Sequence, residues 1–221
     1  MWAIKLVFSN NAISWLIALV IIAPLSGCDM VGYNSFFEQP SYFVFKRLAK
    51  NVEIREYSER TYAESRVDGT GMPARRNAFR LLLNYISGAN DRAKKISMTV
   101  PVSAAEVEPR PAKNHFIESW VERDSYTMRF FLPKAYNVNS APISKNQQIH
   151  IGYIPSRLEA VLRYSGSQSD TQAKIHEKRL INILNSSGWE AIGTPVALYY
   201  NPPFSIPMLR RNEITVPVES R

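Results

Sequence analysis

The feature that most constrains this 221-residue sequence is that its order of strand and helix signals runs through once and then runs through again. In the first pass, Val52–Tyr57 alternates apolar with polar residues and Thr61–Val67 alternates again before Asp68-Gly69, which predicts a hairpin. Arg75 to Ser87 then sets Ala78, Phe79, Leu82, Leu83 and Ile86 at helical spacing, and Gly88 follows as a C-cap. Lys95–Val102 and Ser125–Pro133 read as two further strands. The second pass repeats this order with strands at 150–154 and 157–164, a helix over about 170–186 carrying Ile175, Leu180, Ile181 and Leu184, and strands at 195–200 and 212–217. Tyr57 to Tyr153, Gly69 to Gly166, Arg80 to Arg179 and Gly88 to Gly188 match at offsets between 96 and 100, and Pro133 matches Pro217 across a shorter loop. Similarity in fixed order at one long period marks a duplication.

A strand-strand-helix-strand-strand unit cannot bury its sheet face alone, so two of them predict an α+β fold. The expected form is a distorted antiparallel β-barrel or curved sheet, built from repeats at about 52–133 and 150–218 with a helix on each. Because the halves would share one sheet, residues 42–221 are expected to form a single domain. The composition agrees: 45% hydrophobic residues and a single cysteine exclude a disordered chain and a disulfide scaffold.

Ahead of this domain lies a different kind of segment. Lys5 is the only charge before Asp29, and the apolar run from Asn11 breaks at Pro24, which is too short for a spanning helix. The run ends on Leu25-Ser26-Gly27-Cys28, which resembles the bacterial lipobox, with the chain's only cysteine where a diacylglycerol is attached. Residues 1–27 are therefore expected to be a lipoprotein signal peptide, Cys28 the lipidated first residue, and 28–41 a tether; the alternative is an uncleaved anchor. This places the protein on the periplasmic side of a membrane, and Asp29 resembles the signal that retains enteric lipoproteins at the inner membrane. Two or three acyl chains hold well past the marginal affinity of one. The net charge of +8, which in the cytosol would point to nucleic acid, falls to +7 when Lys5 leaves with residues 1–27 and then faces anionic lipid, so no nucleic-acid partner is expected.

Several segments of the mature chain go beyond periodicity. Val52–Tyr57, Tyr85–Asp91, Ile96–Val102 with Met-Thr-Val-Pro-Val, Arg129–Pro133, Tyr200–Pro203 and Arg210–Ile214 with Arg-Arg-Asn-Glu resemble, in that order, the signature segments of the SOUL haem-binding family. The resemblance runs from Val52 to the C-terminus and implies a distorted barrel of two repeats, related to the GyrI-like effector-binding fold. It also implies non-covalent binding of haem or a related tetrapyrrole in an apolar groove beside the first helix. The family's pocket positions there fall on Arg76, Phe79 and Leu83. Read from the residues themselves, Phe79, Leu82, Leu83 and Ile86 can wall a macrocycle while Arg75, Arg76 and Arg80 flank it for the propionates; the same residues also read as core and solvated face. Glu56 stands where some members carry an axial histidine, and a carboxylate is a poor haem-iron ligand. The axial ligand is thus left open, with Met72 and Met98 near the helix in sequence.

Nothing in the residue pattern names an enzyme. His115, His150 and His176 do not match the family's ligand position, and there is no haem-attachment motif, paired zinc spacing or phosphate loop. The carboxylates Glu53, Glu56, Glu59 and Glu64 gather near one predicted hairpin and read as a solvated strand face. The expected function is a monomeric, membrane-tethered haem or porphyrin carrier or buffer with no metal site of its own. The alternatives are an effector-type module for another amphipathic small molecule, or a protein-interaction module using the same groove.

Overall fold

The computed structural model describes residues 36–107 and 125–221. The predicted signal peptide, Cys28, Asp29, most of the tether and His115 lie outside the described residues. The described residues form ten strands: β1 (Tyr42–Ala49), β2 (Val52–Tyr57), β3 (Arg60–Asp68), β4 (Val102–Val107), β5 (Ser125–Phe131), β6 (Ile149–Ile154), β7 (Arg157–Tyr164), β8 (Trp189–Ala191), β9 (Val196–Tyr199) and β10 (Asn212–Ser220). Two helices, α1 (Gly71–Ile86) and α2 (Asp170–Asn185), complete the set with a 3₁₀ turn at Pro207–Leu209. Among the described residues no helix is long and apolar enough to cross a membrane.

All the strands join one antiparallel sheet in the order β1-β2-β7-β10-β9-β4-β5-β3-β6, with β8 paired to β10. This is the curled half-barrel with two helices that the duplication predicts. From β2 to β6 the order is its own mirror when β2, β3, β4 and β5 exchange with β6, β7, β9 and β10. The register obeys the same symmetry: Tyr57 faces Arg157 and Ile154 faces Arg60, pairs related by one shift of 97. Ile154, rather than Tyr153, is therefore the counterpart of Tyr57.

Three sequence expectations change here. The predicted hairpins do not form: β2 pairs with β7 and β3 with β6, so each half lends its first two strands to the other. The Ser58-Glu59 link carries the chain on in the same direction: Tyr57 opposite Arg157 and Arg60 opposite Ile154 keep one antiparallel register, so β2 and β3 run end to end against β7 and β6. Lys95–Val102 is not a strand, because the ladder starts at Val102, after Pro101, whose missing N–H cannot serve it. The strand β1 was not expected; it pairs with β2 through two register shifts, and such irregularity hides its alternation.

Alternation in the strands divides the sheet into two faces. On one, Ile54, Ala63, Met128, Leu162 and Ile214 are buried beneath the helices and form the main core. There α1 packs on β3, β5 and β6, and α2 on β7, β8 and β10. The opposite face carries Arg55, Arg60, Glu159 and Glu213, all buried, beside a smaller apolar group that includes Phe131, Ile154 and Leu198.

Candidate functional site

Helix α1 begins directly off β3. Gly69 and Gly71 take φ of 89° and 69°, the left-handed conformation that lets the chain leave the sheet sharply. Thr70 makes no side-chain cap, and the Gly71 N–H donates instead to Glu106 Oε1 on β4 at 3.2 Å. Ala74, Ala78, Leu82, Tyr85 and Ile86 turn inward. The inner face is pinned by polar contacts as well: the Ser65 hydroxyl donates to the Ala78 carbonyl, and the Tyr85 hydroxyl to that of Pro142. After the helix, buried Asn90 donates to the carbonyls of Tyr85 and Lys94 and accepts from the Lys94 N–H, fixing the exit.

The outward face is unusual for a helix on a core. Met72, Arg76, Phe79 and Leu83 recur at intervals of four, three and four, which places them on one stripe, and all four are exposed. Phe79 is 38% and Leu83 43% exposed, while the ring of Phe79 meets buried Phe130 edge-on with centroids 5.3 Å apart. The stripe is thus anchored in the core at one point and open elsewhere. Arg80 lies beside it, donating to Asn77 Oδ1 at 3.1 Å, and Arg76 makes no hydrogen bond to a described residue.

Of the residues expected at the site, Arg76, Phe79, Leu83 and Arg80 lie together on this open face. Leu82 and Ile86 do not. Leu82 is 0% exposed and Ile86 7%, and both belong to the main core, where they hold the helix to the sheet. Helical spacing alone assigned them to the wall because residues one position apart differ by only 100° around the helix. Arg75 also turns away, donating to the Gln168 carbonyl and stacking over Tyr199 at 4.6 Å, so it bridges the two halves. Met98 packs against the core, whereas Met72 stays on the stripe.

The other candidate ligands fall elsewhere. Glu56 is exposed on β2, a strand flanked by β1 and β7, while α1 rests on β3, β5 and β6. His150 is exposed on β6 opposite Glu64. His176 stacks on Tyr164 with centroids 3.9 Å apart, and burial, with Arg179 nearby, holds it below the usual imidazole range. Of the gathered carboxylates, Glu53 binds Arg47 and Arg55, and Glu64 binds Arg129. These are structural ion pairs. No group of three His, Cys, Asp or Glu suited to a metal occurs among the described residues.

A second concavity, on the face away from the helices, escaped the sequence reading. It is a partly open cavity of about 370 Å³ between the two halves, with Arg60, Arg129, Arg157 and Glu159 in its lining. Glu159 accepts from Arg60, from Arg157 Nε at 2.8 Å and from the Thr215 hydroxyl at 2.7 Å. Burial alone would raise this carboxyl, but those cations and hydrogen bonds outweigh it and hold the group below the usual carboxylate value. A neighbouring buried network joins Glu213 to Arg55, Arg211 and Tyr200. Burial first and Glu213 next push Tyr57 and Tyr200 well above the ordinary phenol value, outweighing Arg55 and Arg211, which act the other way. The one signal for this face in the sequence was a charge at alternate positions of strands otherwise read as solvated.

A model of the SOUL heme-binding protein family matches residues 37–217. No curated protein matches the chain. Among solved structures, the EcmrR C-terminal domain superposes with a TM-score of 0.53 at 11% identity, covering 77% of this chain and 98% of that one. An uncharacterized conserved protein from Listeria innocua gives 0.55 at 10% identity, covering 77% and 93%. The EcmrR–DNA complex gives 0.53 at 13%, covering 77% and 57%. At such identities the likeness is one of fold. The family match spans both repeats and the helix that carries the stripe, and by it the chain belongs to the SOUL heme-binding protein family, a small-molecule-binding domain.

Proposed function

We propose that this protein binds haem or a related tetrapyrrole non-covalently along the open face of α1, as a carrier or buffer rather than an enzyme. The observation that carries this is the stripe itself: Met72, Phe79 and Leu83 exposed on a well-packed helix, with Arg76 and Arg80 beside them. A macrocycle needs a broad apolar wall and its propionates need cations, and the stripe supplies both. Contiguous apolar surface kept in water is costly unless something covers it. Family membership supports the choice of ligand.

Haem brings its own iron chemistry; the chain's part is to bind the flat ring, orient the propionates and keep water from one face. No imidazole lies on the stripe, and the thioether of Met72 is the donor that does. Affinity then rests on apolar burial, at about 25 cal/mol per Å². This favours a Kd of about 1 μM, or roughly −8 kcal/mol, over the much tighter binding of a strongly ligated haem. Lipidation of Cys28 would hold the protein at the periplasmic face of a membrane, with the inner membrane favoured by Asp29.

Titration of the delipidated protein with hemin, followed in the Soret band, tests the ligand: a saturable one-to-one transition near micromolar concentration is expected. A sharp six-coordinate bis-histidine spectrum lost on replacing His115, His150 or His176 would overturn the reading. For the anchor, Cys28→Ser is expected to leave an unprocessed, unlipidated precursor; processing and membrane attachment that survive the substitution would refute it.

A further inference from the structure

The cavity on the other face of the sheet plays no part in the function proposed above. We propose that it is a second ligand site, selective for a small apolar anion such as a medium-chain carboxylate. Its lining is apolar at Phe131, Ile154, Val196, Leu198 and Pro217 and cationic at Arg60, Arg129 and Arg157, with the Glu159 carboxylate against two of those arginines. A volume of about 370 Å³ lies at the small end of ligand pockets, which suits a chain of some ten non-hydrogen atoms rather than a macrocycle.

The charge is specified by the duplication. Arg60 and Arg157 occupy equivalent positions, related by the shift of 97 that relates β3 to β7, and both donate to one carboxylate, Glu159. The same shift carries Glu159 back onto Tyr62, so the carboxylate that symmetry would supply for the second arginine is a phenol. The ring of Tyr62 instead lies under Arg129, at 4.7 Å. Arg129 is neutralised by Glu64, and Arg60 and Arg157 share Glu159, so the three arginines have two carboxylates between them. One positive charge remains in excess.

The shortfall also shows at a single atom. Arg60 is 6% exposed, its guanidinium lies over Tyr57 at 4.2 Å, and its Nε–H has no acceptor among the described residues. A buried charge-bearing donor without a partner is among the costlier defects a protein can carry. A carboxylate entering the cavity would bring both the missing charge and an acceptor, while its alkyl chain covers Phe131 and Leu198. A neutral ligand of the same shape brings neither.

Isothermal titration of the delipidated protein with octanoate and with octanamide tests this. Octanoate is expected to bind saturably with a Kd below about 1 mM, equivalent to roughly −4 kcal/mol, and octanamide at least about tenfold more weakly. Arg157→Gln, a change at the part-exposed rim, is expected to bring octanoate down to the level of octanamide while the hemin titration stays unchanged. Leu198→Trp, which fills the cavity, is expected to remove octanoate binding altogether. Equal affinity for the two probes, no octanoate binding, or octanoate binding lost in Leu83→Glu on α1 would each overturn the proposal. Should Leu198→Trp fail to fold, Arg157→Gln and Leu83→Glu still decide. The hemin result stands apart from all of these, so failure of this site and failure of the haem reading are distinguishable.

Discussion

The two helices hold equivalent places in the duplicated unit, and each is 16 residues long, yet they show water very different faces. Inward they agree: Ala74 and Ala173, and Tyr85 and Leu184, sit 99 residues apart and are buried in both copies. Outward, the shift that relates them sets Met72 against Thr171, Arg76 against Ile175, Phe79 against Lys178 and Leu83 against Asn182, and all eight are exposed. Packing onto the sheet makes the same demand of both helices, so it cannot account for an apolar stripe on one and a polar stripe on the other. The caps differ in the same sense. Helix α2 is self-contained, with Ser169 accepting from the Gln172 N–H, whereas α1 relies on Glu106, which also pairs with Lys174 of α2 at 3.2 Å. The lesson is that the repeat supplies the scaffold twice and the ligand surface once.

The sharpest way to break this comparison is to place the same charge on both stripes. Leu83→Glu puts a carboxylate against the apolar plane and is expected to weaken hemin binding by about 3 kcal/mol, more than a hundredfold in Kd, while Asn182→Glu leaves it unchanged. Both variants should keep the wild-type circular dichroism spectrum and melting transition, because neither residue is in the core. Equal losses in the two, or none in either, would dissolve the distinction between the helices.

A smaller effect is expected for the cations. Arg76→Ala removes an exposed partner for a propionate and should cost about 1 kcal/mol, roughly fivefold, in the same titration, whereas Arg179→Ala on α2 should cost nothing measurable. The order of Leu83→Glu above Arg76→Ala is the test that apolar contact, and not charge, dominates.

The smallest effect concerns α2. Burial, and then Arg179, lower the pKa of His176 below the value of 6.5 that it has in the unfolded chain. The unfolded state then binds the proton more readily, so this part of the stability is fully present above pH 6.5 and is lost as the pH falls below it. Urea melts between pH 7.5 and 5.5 should show the decline, and His176→Phe, which keeps a ring against Tyr164, should flatten it. An unchanged slope would show that the histidine is not the titrating group.

Much of this was legible in the sequence, and what was not has a common cause. Helix α2 was expected over 170–186 and runs to Asn185, and the pocket positions Arg76, Phe79 and Leu83 lie together on the open face. These rest on local periodicity and on family signatures at single positions. Strand pairing was misread because alternation shows which face a strand buries, and not which edge meets which neighbour. The inner cavity was missed for a related reason. Glu159, Arg60 and Arg157 look like the polar half of alternating strands, and only the curl of the sheet turns that half into an interior.

The exchange of strands between the halves has a consequence for how the chain acquires its structure. The three pairings that bind the halves, β2 with β7, β3 with β6 and β4 with β9, join residues about a hundred positions apart, so little can be gained by folding one repeat early. During synthesis at about 5–20 residues per second, β2 and β3 wait on the order of ten seconds for their partners, with sheet edges unpaired. Fragments ending before β6 are then expected to be proteolysis-prone and sticky, and equilibrium unfolding to be one cooperative transition despite the internal repeat. An architecture that reads as two modules is thus expected to behave, kinetically, as an indivisible one.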